Sequence, residues 1–204
     1  MYTYVNGIFK SNFPQSILSN FNGKGVEVGS FEGVFSKVIL ESFKGQLYLV
    51  DVYRALTDEE YSDLSNHKFH MDAYRTAMEN IVGYEERAHI LRMKSEKAVE
   101  LFNDESLDFV YIDANHKYEY AMADINMWYP KVKKGGIVSG HDFIRLDWYE
   151  TPFCPNGLDK HIYNSDGDYM GEFGVNSALF EFCLKNNITF SCTDEFYGTW
   201  WFVK

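Results

Sequence analysis

The sequence has few cysteines and no long apolar run, and each shortage excludes a class of protein. The three cysteines (Cys154, Cys183 and Cys192) form no CxxC pair, so neither a zinc knuckle nor a disulfide framework is indicated. No apolar run approaches the ~20 residues that a membrane-spanning helix needs. The N-terminus lacks the basic start and the apolar core of a signal peptide. We therefore expect a cytoplasmic protein with no membrane partner.

Positive charge is also scarce. The chain has 30 acidic residues against 19 basic residues, which gives a formal net charge of −11. A polyanion would meet net repulsion from such a surface. The densest basic group, Lys131, Lys133 and Lys134, is interpreted as a solvated helix end. We therefore expect no nucleic-acid partner.

What the chain does have is an alternating pattern of apolar segments. Hydrophobic residues make up 46% of the 204 residues, enough for a single domain over residues 1–204 with one sizeable core. Short apolar runs that end in glycine or in a polar residue predict strands at 25–29, 46–51, 88–93, 107–113 and 135–140. Helical spacing of apolar residues predicts helices near 31–39, 71–82, 95–101 and 118–128. Ser95 is expected to cap the third of these helices.

Apolar strands that are each followed by a helix predict an α/β fold with a doubly wound sheet. Two terminal strands, 188–192 and 199–203, are separated by too few residues for a helix, so the last strand should be antiparallel. The expected fold is a Rossmann-like sheet of seven strands, mostly parallel with an antiparallel final strand. Residues 1–22 are expected to form an N-terminal extension, and the aromatic-rich residues 143–173 an irregular lid over the substrate.

Ligands of such sheets bind outside the carboxyl ends of the strands. Five residues at or just beyond those ends should therefore share one crevice: Gly29, Asp51, Asp113, His141 and Asp142.

The turn from Glu27 to Gly33 suits one kind of nucleotide better than others. A dinucleotide fingerprint would require glycine at Phe31 and Val34, and no P-loop occurs in the chain. A sulfonium cofactor carries positive charge and no phosphate, so a strand-end carboxylate suits it. Asp51 is placed to accept hydrogen bonds from both ribose hydroxyls. The alternative is that the two glycines only make a tight turn.

Four segments together carry a resemblance to a known family: Val26–Gly33, Leu49–Asp51, Val110–Tyr118 and Gly135–Asp142. They resemble class I S-adenosylmethionine-dependent methyltransferases, and most of all methyltransferase domain family 24, a small-molecule branch related to macrolide-sugar O-methyltransferases. The resemblance implies S-adenosylmethionine as the cofactor. It also implies a set of cofactor contacts: Glu27, Gly29, Ser30, Gly33, Asp51, Met93, Ser95 and Asp113.

A neutral hydroxyl is a poor nucleophile, so an oxygen acceptor needs a base, a metal ion, or both. In the related sugar enzymes an Asp-x-x-His motif provides a metal-binding aspartate and a general base, which implies catalytic roles for Asp113 and His116. An acidic pair completes the metal site in those enzymes, which implies Asp142 as a second ligand. His141 departs from that pair, and because magnesium prefers oxygen ligands, a histidine favours manganese or another imidazole-tolerant ion. Whether Asp113, His141 and Asp142 bind a metal stays open.

Structural roles are the alternative for the same residues. Asp113 or Asn115 could cap the helix at Tyr118, and His141 could be a neutral side chain that Asp142 orients. The other histidines, His67, His70, His89 and His161, are treated as ordinary polar residues. Residues 166–168 lack the spacing of a calcium loop.

Three functions remain. The first is O-methylation of a hydroxyl on a sugar, a glycan precursor or a secondary metabolite. The second is N-methylation of a small amine, although the Asn/Asp-Pro-Pro-Tyr signature of nucleobase enzymes is absent. The third is a non-catalytic module that binds the cofactor or a partner protein, with Trp200 and Trp201 either in an interface patch or in a buried last strand. The oligomeric state, including a homo-oligomer, is left open.

Overall fold

The computed structural model describes residues 2–54, 67–144, 160–163 and 169–204. Within these ranges the strands are β1 (Tyr2–Val5), β2 (Lys24–Val28), β3 (Gln46–Asp51), β4 (Ala88–Arg92), β5 (Leu107–Ile112), β6 (Val132–Ile144), β7 (Lys160–Tyr163), β8 (Tyr169–Phe173), β9 (Phe190–Thr193) and β10 (Tyr197–Val203). The helices are α1 (Val34–Ser42), α2 (His67–Asn80), α3 (Ser95–Ala98), α4 (Tyr118–Trp128) and α5 (Val175–Lys185). A short 3₁₀ turn, Val99–Leu101, continues α3, and a π-helical turn, Pro14–Leu18, lies between β1 and β2.

The main sheet has the strand order β1-β9-β10-β6-β5-β2-β3-β4. Strand β10 is antiparallel to both of its neighbours, β6 and β9, and the other neighbouring pairs are parallel. The α/β fold with an antiparallel final strand is therefore confirmed. The expected count of seven strands is wrong, because eight strands form this sheet. The additional strand is β1, which pairs in parallel with β9.

Several element boundaries differ from the sequence-based expectation. Strand β6 runs well beyond the expected 135–140, and α2 begins four residues earlier than expected. In the region expected to be an irregular lid, β7 and β8 pair antiparallel as a separate two-stranded sheet. The remaining parts of that region, 145–159 and 164–168, lie outside the described residues, and so do Cys154 and the segment 166–168.

Apolar side chains cover both faces of the main sheet. One face packs under α4 and α5 around Trp128 and Trp200, and the other packs under α1 around Phe43 and Phe109. Every residue of β5 is buried, as its continuous apolar run predicts for a central parallel strand. Trp200 and Trp201 are also buried, so they belong to the core and not to an exposed interface patch.

The chain between β1 and β2 packs on the α1 face of the sheet. The Phe13 ring centroid lies 5.9 Å from that of Tyr111 and 5.4 Å from that of Trp201. Lys10, three residues before Phe13, lies at the carboxyl end of β5, where its ammonium contacts Asp113. Among the described residues, no helix is both long enough and apolar enough to cross a membrane.

Candidate active site

A cavity of about 800 Å³ lies at the carboxyl ends of β2, β3, β4 and β5. This volume lies within the range of small-molecule binding sites. Six of the residues singled out from the sequence line it: Gly29, Asp51, Met93, Ser95, Asp113 and His116. These residues therefore lie together, as expected from their positions at the carboxyl ends of the strands.

Gly29 allows two of the strand-end loops to approach each other closely. Its φ is +87°, and a Cβ added to it would lie 2.0 Å from the carbonyl oxygen of Asp113. Both observations require glycine at this position. The Gly29 N–H donates to the Val50 carbonyl oxygen at 2.8 Å, so the turn is fixed against β3 as well as against the loop after β5.

Asp51 is held in place by two backbone donors. Its Oδ2 accepts a hydrogen bond from the Phe31 N–H at 2.9 Å, and its Oδ1 accepts one from the Tyr53 N–H at 3.1 Å. Both donors have positive φ, 43° at Phe31 and 46° at Tyr53, a strained conformation that is concentrated at functional sites. Each carboxylate oxygen has a second lone pair, so the fixed Asp51 can still accept hydrogen bonds from a ribose diol.

Three of the predicted cofactor contacts lie outside the cavity lining and instead support the glycine turn. Glu27 is buried, accepts a hydrogen bond from the Ser36 hydroxyl, and has its pKa raised to about 8 by burial. The Ser30 hydroxyl pairs with the Tyr53 hydroxyl at 3.0 Å. Gly33 precedes α1 with a φ of +71° and leaves little room for a side chain against α2.

Ser95 lines the cavity, but its hydroxyl already has partners. Ser95 Oγ donates to Asp124 Oδ1 at 2.5 Å and accepts from Trp128 Nε1 at 2.8 Å. The expected capping role is wrong, because Lys94 is the N-cap residue of α3 and no side chain caps it. The side chain of Ser95 is therefore bonded to α4 instead.

Asp124 is a cavity residue that the sequence reasoning missed. It is buried, lines the cavity, and has its pKa raised to about 6 by burial. A signal for it was present, because Asp124 lies three residues after Ala121 and four before Trp128. That spacing places a carboxyl group on the buried stripe of α4.

His116 and Asp142 form an ion pair beside the cavity. His116 Nε2 lies 2.9 Å from Asp142 Oδ2, and the His116 ring stacks on Phe173 with centroids 4.9 Å apart. Burial opposes protonation of His116, but the hydrogen bond and charge of Asp142 outweigh burial and raise the pKa of the imidazole. Burial alone would raise the pKa of Asp142, but its contacts with His116 and His141 hold that pKa well below its usual range.

A β-bulge presents His141 and Asp142 together. Strand β6 has these two residues where β10 has only Thr199, and Asp142 has a φ of 60°. A bulge redirects side chains that would otherwise alternate between the two faces of the sheet. His141 Nδ1 consequently lies 3.3 Å from Asp142 Oδ1 and 3.8 Å from Asp113 Oδ1.

The three predicted metal ligands, Asp113, His141 and Asp142, do come together, with ligand atoms within 4.8 Å of one another. The two carboxylates already have other partners. Asp113 Oδ2 contacts the Lys10 ammonium at 2.8 Å, and the two oxygens of Asp142 face His116 and His141. His141 Nδ1 faces both carboxylates, at 3.3 Å from Asp142 and 3.8 Å from Asp113. An ion bound by all three residues would compete with these partners for the two carboxylates.

Neither Asp113 nor Asn115 is the N-cap residue of α4, the alternative role considered for them. The N-cap residue is Lys117, and no side chain makes a capping bond there. Asn115 Oδ1 accepts a hydrogen bond from the Lys117 N–H at 3.0 Å, whereas the side chain of Asp113 is bonded to Lys10. Asp113 is therefore oriented toward the site and not toward the helix.

The remaining histidines differ in their surroundings. His70 is buried and lines the cavity, so treating it as an ordinary polar residue missed its position. His89 Nε2 pairs with Gln46 Oε1 at 2.5 Å, which agrees with a structural role. The side chains of His67 and His161 lie outside the described residues.

The part of the sequence that forms this site matches a known protein family. The model of a methyltransferase domain, family 24, matches residues 26–143, which is more than half of the chain. The chain belongs to this methyltransferase family. It is therefore an S-adenosylmethionine-dependent methyltransferase, an enzyme and not a non-catalytic module. No curated protein matches the sequence significantly.

Solved structures of low sequence identity share the fold of this methyltransferase. An O-methyltransferase family protein from Burkholderia thailandensis is 12% identical with a TM-score of 0.64, over 96% of this chain and 55% of that protein. The 1,6-didemethyltoxoflavin-N1-methyltransferase of the same organism is 13% identical with a TM-score of 0.56, over 96% and 76%. A protein from Corynebacterium glutamicum is 11% identical with a TM-score of 0.57, over 96% and 78%.

Proposed function

We propose that this methyltransferase transfers a methyl group to a hydroxyl of a small molecule, such as a sugar, a glycan precursor or a secondary metabolite. The observation that carries the proposal is the contact of 2.9 Å between His116 Nε2 and Asp142 Oδ2 at the edge of the cavity. A hydroxyl acceptor needs a base, whereas a neutral amine does not.

The hydrogen bond to Asp142 determines which nitrogen of His116 is basic. Donation from Nε2 to the carboxylate leaves Nδ1 as the nitrogen that takes a proton. The negative charge of Asp142 then stabilises the imidazolium, as the aspartate does in a serine-protease triad. His116 can therefore receive the hydroxyl proton while Asp142 keeps its ring in one orientation.

The cofactor supplies an electrophilic methyl group on its sulfonium sulfur when it is bound. Asp51 is the residue that we assign to its ribose, because two backbone donors fix the carboxylate at the cavity wall. Gly29 keeps the adjacent turn free of a side chain, and Met93 provides an apolar surface for the adenine. Asp113 lines the same cavity as His116.

The acceptor side of the cavity suits a small, ring-bearing molecule. Phe173 stacks on His116, and Tyr120 lines the cavity with a partly exposed ring. Aromatic faces pack well against sugar or aromatic rings and help to exclude water. The lid expected over residues 143–173 stays a proposal, supported by the contact of its last residue, Phe173, with His116. The net charge of −11 argues against nucleic acid as the acceptor.

The test is a screen of hydroxylated and amine acceptors, read out as formation of S-adenosylhomocysteine. For a hydroxyl acceptor, we expect His116→Ala to lower kcat by about 10²- to 10⁴-fold, with calorimetric affinity for S-adenosylhomocysteine unchanged. His89→Ala is the matched control, because His89 lies on β4 and pairs with Gln46. Turnover of amines alone, or equal turnover in His116→Ala, would overturn the proposal.

A further inference from the structure

Lys10 places a positive charge inside the group of acidic and imidazole side chains. Its Nζ lies 2.8 Å from Asp113 Oδ2, and both side chains are largely removed from solvent, with 28% and 18% exposed. The two residues are separated by 103 positions in the sequence. The contact is therefore made by the tertiary fold and not by local chain geometry.

The backbone of Lys10 is fixed independently of its side chain. The Lys10 N–H donates to Glu195 Oε2 at 2.8 Å, and the Thr193 hydroxyl donates to the same oxygen at 2.8 Å. Thr193 ends β9, the strand that pairs with β1. The N-terminal extension is thus attached to the sheet on both sides of Lys10, by β1 before it and by Phe13 after it.

Two aromatic rings hold the ammonium from the other side. Lys10 Nζ lies 5.1 Å from the centroid of the Phe35 ring and 6.0 Å from that of Tyr111. Both distances are within the range of cation–π attraction. The ammonium therefore contacts a carboxylate and lies over two aromatic rings, an environment that favours a cation at this point.

A metal ion bound by Asp113, His141 and Asp142 would share the Asp113 carboxylate with Lys10. An ion bound by Asp113, His141 and Asp142 would lie close to the carboxylate that Lys10 contacts, and like charges repel strongly where water is partly excluded. Lys10 and a divalent ion therefore compete for Asp113. With Lys10 in place, Asp142 pairs with His116 and His141, and each carboxylate has a donor.

We propose that Lys10 is the cation that neutralises Asp113 in the Asp113–His141–Asp142 group, and that its charge disfavours a divalent metal bound by the same carboxylate. Lys10 acts as a positioning residue, because it holds Asp113 in the cavity lining and leaves Asp142 to His116. The predicted effect of Lys10 on metal binding does not depend on which acceptor the enzyme uses. Only the predicted effect of Lys10 on activity rests on the proposed function.

The first test is a titration with Mn²⁺ alone, with free Mn²⁺ measured by electron paramagnetic resonance. We expect no binding to the wild-type protein below millimolar concentrations, and at least tenfold tighter binding to Lys10→Met, which keeps the length of the side chain but removes its charge. Lys10→Arg should behave as the wild type, and the further change Asp113→Asn should abolish the binding gained by Lys10→Met. Lys37→Met, at an exposed position of α1, is the control for the loss of any lysine.

Two results would overturn the proposal. One is that the wild-type protein binds Mn²⁺ at micromolar concentrations and that Asp113→Asn removes this binding. This result decides the question even if no Lys10 variant folds. The other is a folded Lys10→Met protein, by circular dichroism, that gains no affinity for Mn²⁺. Lys10→Gln replaces Lys10→Met if the methionine variant does not fold.

The second test uses turnover with the acceptor found in the screen. The wild type should be insensitive to EDTA, Lys10→Met should lose at least tenfold in kcat, and Mn²⁺ should restore part of that loss only in Lys10→Met. Lys10→Arg should retain most of the activity. A purely structural role for Lys10 would give a loss that Mn²⁺ does not restore. If no acceptor is found, the proposed function fails while the Mn²⁺ titration still decides the role of Lys10.

Discussion

His116 Nε2 lies 2.9 Å from Asp142 Oδ2, although the two residues come from different parts of the fold. His116 lies in the loop that leads into α4, whereas Asp142 lies at the bulge of β6. The pair therefore depends on the neighbouring positions of β5 and β6 in the sheet and on the extra residue that redirects Asp142. The same geometry makes Asp142 the orienting partner of the proposed base.

Replacement of Asp142 by asparagine should lower kcat by at least about 10-fold and by up to about 10⁴-fold, the loss seen when the aspartate of a serine-protease triad is replaced in the same way. Asparagine keeps the size of the side chain but cannot stabilise an imidazolium by charge. The Kd for S-adenosylhomocysteine should stay within about twofold of the wild-type value in calorimetry. Asp104→Asn, at an exposed partner of Lys131, is the control. An unchanged kcat would remove Asp142 from the mechanism.

Gly29 and Gly83 provide a matched pair for the role of the glycine turn. Both have a φ of +87°, but a Cβ on Gly83 would meet nothing within 4 Å, whereas a Cβ on Gly29 would meet the backbone of Asp113. Gly83→Ala should therefore cost only the strain of the left-handed conformation, about 1–2 kcal/mol of the free energy of unfolding. Gly29→Ala should cost more and should also abolish binding of S-adenosylhomocysteine. Urea unfolding and calorimetry measure the two effects, and equal behaviour of the two variants would contradict the close approach seen at Gly29.

The central part of the fold was predictable because its signals are local. Strands such as β5 read as continuous apolar runs, and the helix over 118–128 has the expected spacing. The eighth strand was not predictable, because β1 has only four residues and its partner β9 lies near the other end of the chain. A short strand at a sheet edge has no helix after it that would identify it as part of the parallel pattern.

The candidate site was predictable to the extent that strand ends determine it. Gly29, Asp51 and Asp113 follow parallel strands, so the topology alone places them in one crevice. The contact of Lys10 with Asp113 was not predictable, because no sequence pattern relates residues so distant in the chain. Nor did the sequence show that Glu27 faces Ser36 rather than the cavity, since a strand residue next to a turn can face either side of the sheet.

Glu27 should make the stability of the protein depend on pH. Burial raises the pKa of Glu27 from its ordinary value of 4.5 to about 8. Between these two pH values the folded state therefore keeps a proton that the unfolded state has released. The stabilising contribution is therefore fully present below about pH 4.5 and is lost as the pH rises through about 8. Glu27→Gln cannot ionise and should remove this loss, so that at pH 8 the variant is more stable by on the order of 2–4 kcal/mol.

Urea unfolding of the ligand-free protein at pH 5, 6, 7 and 8 measures this difference. The two proteins should be similar in stability at pH 5 and should diverge toward pH 8. Glu41→Gln, at an exposed position of α1, should follow the wild-type curve throughout. Parallel curves for the wild type and Glu27→Gln would show that Glu27 ionises in the folded state at its ordinary pKa.

Replacement of Ser95 tests whether its hydroxyl contacts the cofactor directly or only stabilises the fold. Its hydroxyl bonds to both Asp124 and Trp128, so Ser95→Ala leaves a buried carboxyl group and an indole N–H without that partner. The expected cost is about 1–3 kcal/mol in the free energy of unfolding. Asp51→Ala, by contrast, removes a charged acceptor at the cavity wall and should weaken binding of S-adenosylhomocysteine by at least about tenfold. Ser106→Ala, whose hydroxyl bonds only a nearby exposed carbonyl, is the control for serine removal. If Ser95→Ala loses as much affinity as Asp51→Ala while keeping its stability, the hydroxyl contacts the cofactor directly and the bonds to α4 are secondary.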